Sequence, residues 1–212
     1  MSLQLNIKFS PESLRTLQLQ RFFHFILSAL LLASIVFSVI HNPLVAQAES
    51  YYARDEFGTT AYTNNDGSVN WASDWTEIND DGSAGAGNVR IVGQALLVSS
   101  RTAVNDGDFE GVQRTVDLSS ATSATLSFTF TTANLEAADT LTVDVYNGSS
   151  WTLLETLSGS STAGRRVYNI TNYRNASSAI RFQITNSFNN TDESISFDNV
   201  EVAYTVGGAH TA

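Results

Sequence analysis

Apolar residues recur at every second position in several stretches of the chain. Val112, Arg114, Val116 and Leu118 share one parity, and Leu126, Phe128 and Phe130 stand between Thr and Ser. Leu141, Val143 and Val145 alternate with Thr142, Asp144 and Tyr146; Ile180, Phe182 and Ile184 alternate with Arg181, Gln183 and Thr185. A period of two predicts strands with one buried face. Turn formers separate these runs: Asn65-Asp66-Gly67-Ser68, Asp80-Asp81-Gly82-Ser83, Asn105-Asp106-Gly107 and Asn147-Gly148-Ser149. The last predicts a tight hairpin between 141–146 and 151–157, because Asn-Gly accepts the positive φ angles required. The spacing predicts about eight to ten short strands. Only Asn134–Ala138 offers a turn of helix. No linker-like stretch interrupts 51–204, so residues 49–204 are expected to form one domain with a short polar tail, 205–212. The pattern predicts an all-β, antiparallel two-sheet jelly-roll sandwich, with an immunoglobulin-like sandwich as the alternative.

The last of these strands contains an irregularity. Ile195 and Phe197 are apolar at odd positions, Val200, Val202 and Tyr204 at even ones. The parity flips across Asp198-Asn199, as one inserted residue makes it do, which predicts a β-bulge that re-aims the Asp198 carboxylate.

The N-terminal residues follow a different pattern. Residues 22–40 are an apolar run behind Arg15 and Arg21, followed by Pro43 and the small-x-small Ala46-Gln47-Ala48. That order predicts a signal peptide over 1–48, cleavage after Ala48, and a secreted or cell-surface protein. An uncleaved anchor, the sole route to a membrane, is the alternative.

Composition narrows the chemistry. The chain carries 11 Lys+Arg against 21 Asp+Glu, a net charge of −10, and has no Cys. The acidic excess grows once Lys8, Arg15, Arg21 and Glu12 are removed with the signal, leaving no Lys and one His, His210. Thiol chemistry, zinc-thiolate sites and disulfides are excluded. A Ser-His-Asp triad and a His-rich metal site lack their residues. So acidic a surface repels nucleic acid. What remains is carboxylate, hydroxyl, amide and aromatic chemistry, which suits calcium and neutral sugars. The chain is not expected to be an enzyme. Glycoside hydrolysis by a carboxylate pair drawn from Glu56, Glu77 and Glu201 is the one catalytic alternative. Four glycan-acceptor triplets, at Asn147, Asn169, Asn175 and Asn189, are unsurprising in a chain so rich in Asn, Ser and Thr.

Arg54-Asp55-Glu56-Phe57, Tyr62-Thr63-Asn64-Asn65-Asp66-Gly67-Ser68, and Trp71 through Trp75-Thr76-Glu77 form an ordered set of blocks. It continues with Arg114-Thr115-Val116-Asp117-Leu118, Ala121 through Phe128, and Phe197-Asp198-Asn199-Val200. The set resembles a jelly-roll module of bacterial surface and secreted proteins, akin to MAM and galactose-binding-like or carbohydrate-binding domains. The resemblance implies a calcium-stabilised jelly roll used for adhesion or glycan binding. It implies a Ca2+ site in which Asp198 meets the first-strand acids Asp55 and Glu56, with Asp80 and Asp81 on a nearby loop. The alternative is that these acids cap turns or face solvent. Trp71 and Trp75 lie in a polar, Gly-rich region and are candidate ring platforms for a sugar; otherwise they plug an end of the sandwich, as Trp151 is expected to do. The expected partner is an extracellular polysaccharide. A second function, a self-assembling fibre or sheath subunit, would use Glu49–Arg54 and Thr205–Ala212 as free ends that add a strand to a neighbouring copy.

Overall fold

A computed structural model describes residues 11–41, 47–99, 109–160, 162–186 and 188–208. The chain divides into two units. The first contains one α-helix, α1 (Pro11–His41), whose side chains Phe22, Phe23, Phe25, Leu27 and Leu30 are exposed. Among the described residues no helix is long and apolar enough to cross a membrane. Ala46 of the expected cleavage motif, the Asn105-Asp106-Gly107 turn with Asp108, and His210 lie outside the described residues.

The second unit is a sandwich of two antiparallel sheets. Its strands are β1 (Glu49–Asp55), β2 (Thr76–Ile78), β3 (Val89–Val92), β4 (Ala95–Ser99), β5 (Gly111–Val116), β6 (Ala121–Ala133), β7 (Thr140–Tyr146), β8 (Trp151–Ser158), β9 (Ala163–Asn169), β10 (Ser178–Asn186) and β11 (Ser194–Val206). The first sheet runs β3-β4-β11-β6-β9, with β1 also on β11; the second runs β2-β5-β10-β7-β8. The architecture is the jelly-roll sandwich expected from the alternation. The 134–138 segment is a loop, and the short helical turn of the sandwich, a 3₁₀ turn, is at Thr171–Tyr173 instead.

Alternation decides which side chains enter the core. Leu141, Val143 and Val145 of β7, and Ile180, Phe182 and Ile184 of β10, are buried on one face of the second sheet. Across the sandwich they meet Leu126, Phe128, Ile195 and Phe197 of the first. Phe182 and Phe197, one from each sheet, stack with ring centroids 3.9 Å apart, and Phe128 meets both edge-on. Such pairs add about 0.5–1.5 kcal/mol each beyond simple burial.

The bulge lies where the parity flips. Against β6, Asp198 pairs with Thr129 while Glu201 pairs with Ser127, so β11 carries one extra residue. Asn199 takes φ +51°, a conformation that Asn tolerates better than most residues. The bulge also coincides with a change of neighbour: Ser194–Phe197 pair with β4, and Val200–Val206 pair with β1. Phe197 and Val200 are therefore both fully buried although they are three residues apart.

Glu49–Asp55 is not a free end. It pairs along its whole length with Val200–Val206 of the same chain, so these groups, Thr205 included, are already engaged in a ladder. The Gly67 turn lies against the other side of β1, with Val69 N–H bonded to the Tyr52 carbonyl. A side chain at Gly67 would collide with the backbone of Tyr52 and Ala53.

Candidate functional site

Asp55, Glu56 and Asp198, expected to bind calcium together, are each engaged by protein groups instead. Asp55 has no exposed surface. Its Oδ2 accepts from Arg114 Nη1 at 2.7 Å and from Trp75 Nε1 at 2.9 Å, and its Oδ1 accepts from the Phe57 amide at 2.8 Å. Arg114 lies on the buried parity of β5, so an ion pair from one sheet to the other occupies the position assigned to a metal. The guanidinium also donates to the carbonyls of Ser73 and Asn64. Burial pushes the Asp55 carboxyl up and the Arg114 guanidinium down to about 10, against the pull of their mutual attraction. Glu56 is paired with Arg54, which also reaches Glu201 at 3.7 Å. The Asp198 carboxylate accepts from the amide of Asn199 at the bulge.

Asp80 and Asp81 do meet, and Glu77 joins them: one carboxylate oxygen from each lies within 4.8 Å of the others. Each acid is also held by a protein donor. Tyr62 Oη and the Gly82 amide bond to Glu77, the Val89 amide to Asp80, and the Ser83 amide to Asp81. Burial, reinforced by the charges of Asp80 and Asp81, raises the Glu77 carboxyl above its ordinary range, although the two donors oppose that rise. In a second set, Glu136, Asp139 and Glu193, one carboxylate oxygen from each also lies within 4.8 Å of the others. No period or motif in the sequence marks Glu136, Asp139 or Glu193, which lie on the loops at one end of the sandwich.

Trp71 and Trp75 are 6% and 3% exposed and do not form a solvent-facing platform. Their ring centroids are 6.0 Å apart, and the Arg114 guanidinium lies over both, 5.0 and 5.6 Å from the centroids. The two indoles close over the buried ion pair and shield it from water.

The third tryptophan, Trp151, expected in the core, goes the other way. The Asn147–Ser150 turn, tied by Asn147 Oδ1 to the amides of Ser149 and Ser150, sets Trp151 opposite Tyr146. Tyr146 lies on the polar parity of β7, so both rings project from the outer face of the second sheet. Their centroids are 5.1 Å apart. Arg181, the next strand's contribution, lies 4.3 Å from the Trp151 ring centroid and bonds Asp144 through Nη2 at 3.0 Å and Nε at 3.2 Å. Thr142 Oγ1 donates to the same Asp144 oxygen at 2.9 Å. Leu153, 56% exposed, continues the row of Trp151 along β8. Gln113 and Thr115 of β5 and Gln183 of β10 extend the face with half-buried polar groups. The result is an aromatic pair, a fixed guanidinium–carboxylate pair and a band of amides and hydroxyls across four adjacent strands.

No protein-family model matches this chain, and no curated protein matches it. Among solved structures it is similar to a family 4 carbohydrate-binding module, with 19% identity, 61% of this chain and 94% of that one covered, and a TM-score of 0.42. It is also similar to a family 29 carbohydrate-binding module from Piromyces equi, at 8% identity, covering 78% and 95% of the two chains with a TM-score of 0.46. A xylan-binding domain of family 22 gives 14% identity, 77% and 98% coverage, and a TM-score of 0.43.

Proposed function

We propose that this protein is an exported, non-catalytic carbohydrate-binding module whose ligand face is the outer face of the β2-β5-β10-β7-β8 sheet. The observation that carries the reading is the juxtaposition of Tyr146 and Trp151 with the Arg181–Asp144 pair. Pyranose rings present an apolar C–H face that packs on aromatic surface, while their hydroxyls need directed donors and acceptors. The aromatic pair suits the first requirement. Arg181, Gln183 and Gln113 suit the second, and the buried Asp144 holds the guanidinium in place so that little rotamer freedom is lost on binding. A face that runs across several adjacent strands suits an extended polysaccharide. In this reading the apolar helix and Ala46-Gln47-Ala48 direct export, and the protein acts outside the cell or at its surface. Of the five acids that the resemblance implies for calcium, only Asp80 and Asp81 are kept in this reading as its proposed ligands, with Glu77 as their third partner.

Electrophoresis through gels containing xylan or a soluble β-glucan tests the reading. The wild-type chain should be retarded by a cognate polysaccharide, and Trp151→Ala should migrate as it does in a gel without polysaccharide. Retardation that survives in Trp151→Ala would move the ligand site elsewhere.

A further inference from the structure

Buried carboxylates in this sandwich otherwise have a cationic partner: Asp55 has Arg114, and Asp144 has Arg181. Asp139 and Glu193 differ. Both have no exposed surface, yet no ion pair among the described residues involves either of them or Glu136. Asp139 immediately precedes β7, and Glu193 immediately precedes β11. The loop from β6 to β7 crosses from the first sheet to the second, and the loop from β10 to β11 crosses back at the same end. The ladders beneath them pair Ser194 with Ala133 and Asn186 with Thr140. Three carboxylates therefore converge where the two sheets are joined, with oxygens mutually within 4.8 Å.

Their protein partners leave part of this charge unanswered. Asp139 Oδ2 accepts from the Glu136 amide at 2.5 Å, but Asp139 Oδ1 is buried and has no hydrogen-bond partner. Glu193 accepts twice from Asn190, through its amide at 3.0 Å and Nδ2 at 2.6 Å, and the same Nδ2 lies 3.5 Å from Glu136 Oε1. A buried carboxylate oxygen without a donor costs stability, and neighbouring negative charges add to the cost. An ion supplied by the solvent would remove both costs at once.

We propose that Glu136, Asp139 and Glu193 form a divalent-cation site of calcium type that pins the two crossover loops together. The donor set is all oxygen, with no His or Cys, which suits a hard cation. Calcium takes six to eight oxygens in irregular geometry, so carboxylates can serve while also accepting amide hydrogens; magnesium demands a compact octahedron that two separate loops do not readily build. The exposed Glu136 leaves the ion a path from solvent. This site shares no residue with the Glu77–Asp80–Asp81 loop or with the proposed glycan face, and its test is independent of both.

Calorimetric titration of the full-length chain with CaCl2 and with MgCl2, together with thermal melts in chelator and in millimolar CaCl2, tests the site. Three chains are compared: wild type, Asp139→Asn and Asp80→Asn. Calcium at a hundredfold excess over Kd should raise the wild-type Tm by about 5–10 °C. Asp139→Asn should bind one calcium fewer than wild type, and in chelator it should melt no lower than wild type, because the amide removes a buried charge without removing volume. Asp80→Asn should keep the equivalent that Asp139→Asn loses. The proposal is overturned if calcium neither binds nor shifts the wild-type melt, or if Asp139→Asn binds as many calcium ions as wild type. Should Asp139→Asn fail to fold, Glu136→Gln at the exposed rim must show the same loss of one equivalent.

Discussion

Asp55 and Asp139 are both carboxylates without exposed surface, yet they stand in different company. Asp55 is enclosed by Arg114, the Trp75 indole and the Phe57 amide, so its charge and every hydrogen bond are local to the protein. Removing one partner of such a pair strands the other. Asp55→Ala should therefore cost about 3–5 kcal/mol, measured by urea unfolding, with no dependence on calcium. The tryptophans divide in the same way. Trp75→Ala opens a core cavity beside the ion pair and should cost a similar amount, whereas Trp151, on the outer sheet face, should not. Part of this contrast is present in the sequence. Arg114 shares the parity of Val112 and Val116, which marks it as a buried cation in search of an acid. For Trp151 the expectation is the core, and the structure corrects it: Tyr146 has the polar parity, and the tight turn makes Trp151 its cross-strand partner on the outer face. The sequence does not disclose which acid meets Arg114, because that contact joins residues 59 positions apart across the two sheets.

At the scale of elements, β11 is the strand on which the first sheet depends. It pairs with β6 on one side and with β4 and then β1 on the other, and the extra residue at Asn199 keeps Val200 and Val202 in the core after Phe197. Asn199→Gly should be tolerated, since φ is already +51° there. Asn199→Val should lose about 1–2 kcal/mol in urea unfolding. Deleting Asn199 shifts the register by one and turns Val200, Val202 and Tyr204 outward; no folded protein is expected in circular dichroism or size exclusion. This bulge was legible because strands have a strict period of two. The acidic cluster at Glu136 was not, since loop residues carry no period and their meeting depends on two crossovers at one end of the sandwich. The edge strands β8 and β9 are joined by Glu155, which Arg166 and Tyr168 engage. Burial alone would raise the Glu155 carboxyl, but the bonds from Arg166 and Tyr168 outweigh it and hold the carboxyl below its ordinary value. The sign follows: its contribution to stability is fully present above the unfolded-state pKa and is lost as pH falls through the lower folded value. Melts recorded from pH 6 down to pH 3 should show a shallower acid limb for Glu155→Gln than for wild type.

For the whole molecule, the two sheets have separate tasks. The first closes the chain by joining β1 to β11, and its ladders hold both described ends of the sandwich. The second presents an aromatic and polar face built on β8, β7 and β10, strands that pair with one another and are backed by the buried side chains of β7 and β10. Burial of Arg114 with Trp71 and Trp75 between the sheets keeps the indoles off the surface, which leaves Trp151 as the tryptophan available to a ligand. The central claim is that this outer face binds carbohydrate. Its most direct test is isothermal titration of the wild-type chain and of Trp151→Ala with the same soluble polysaccharide, with Tm recorded for both. The account predicts binding to the wild-type chain, at least a tenfold loss in Trp151→Ala, and melting temperatures within a few degrees of each other. Equal affinity in the two chains, or no binding by the wild type to any xylan or β-glucan, would contradict it.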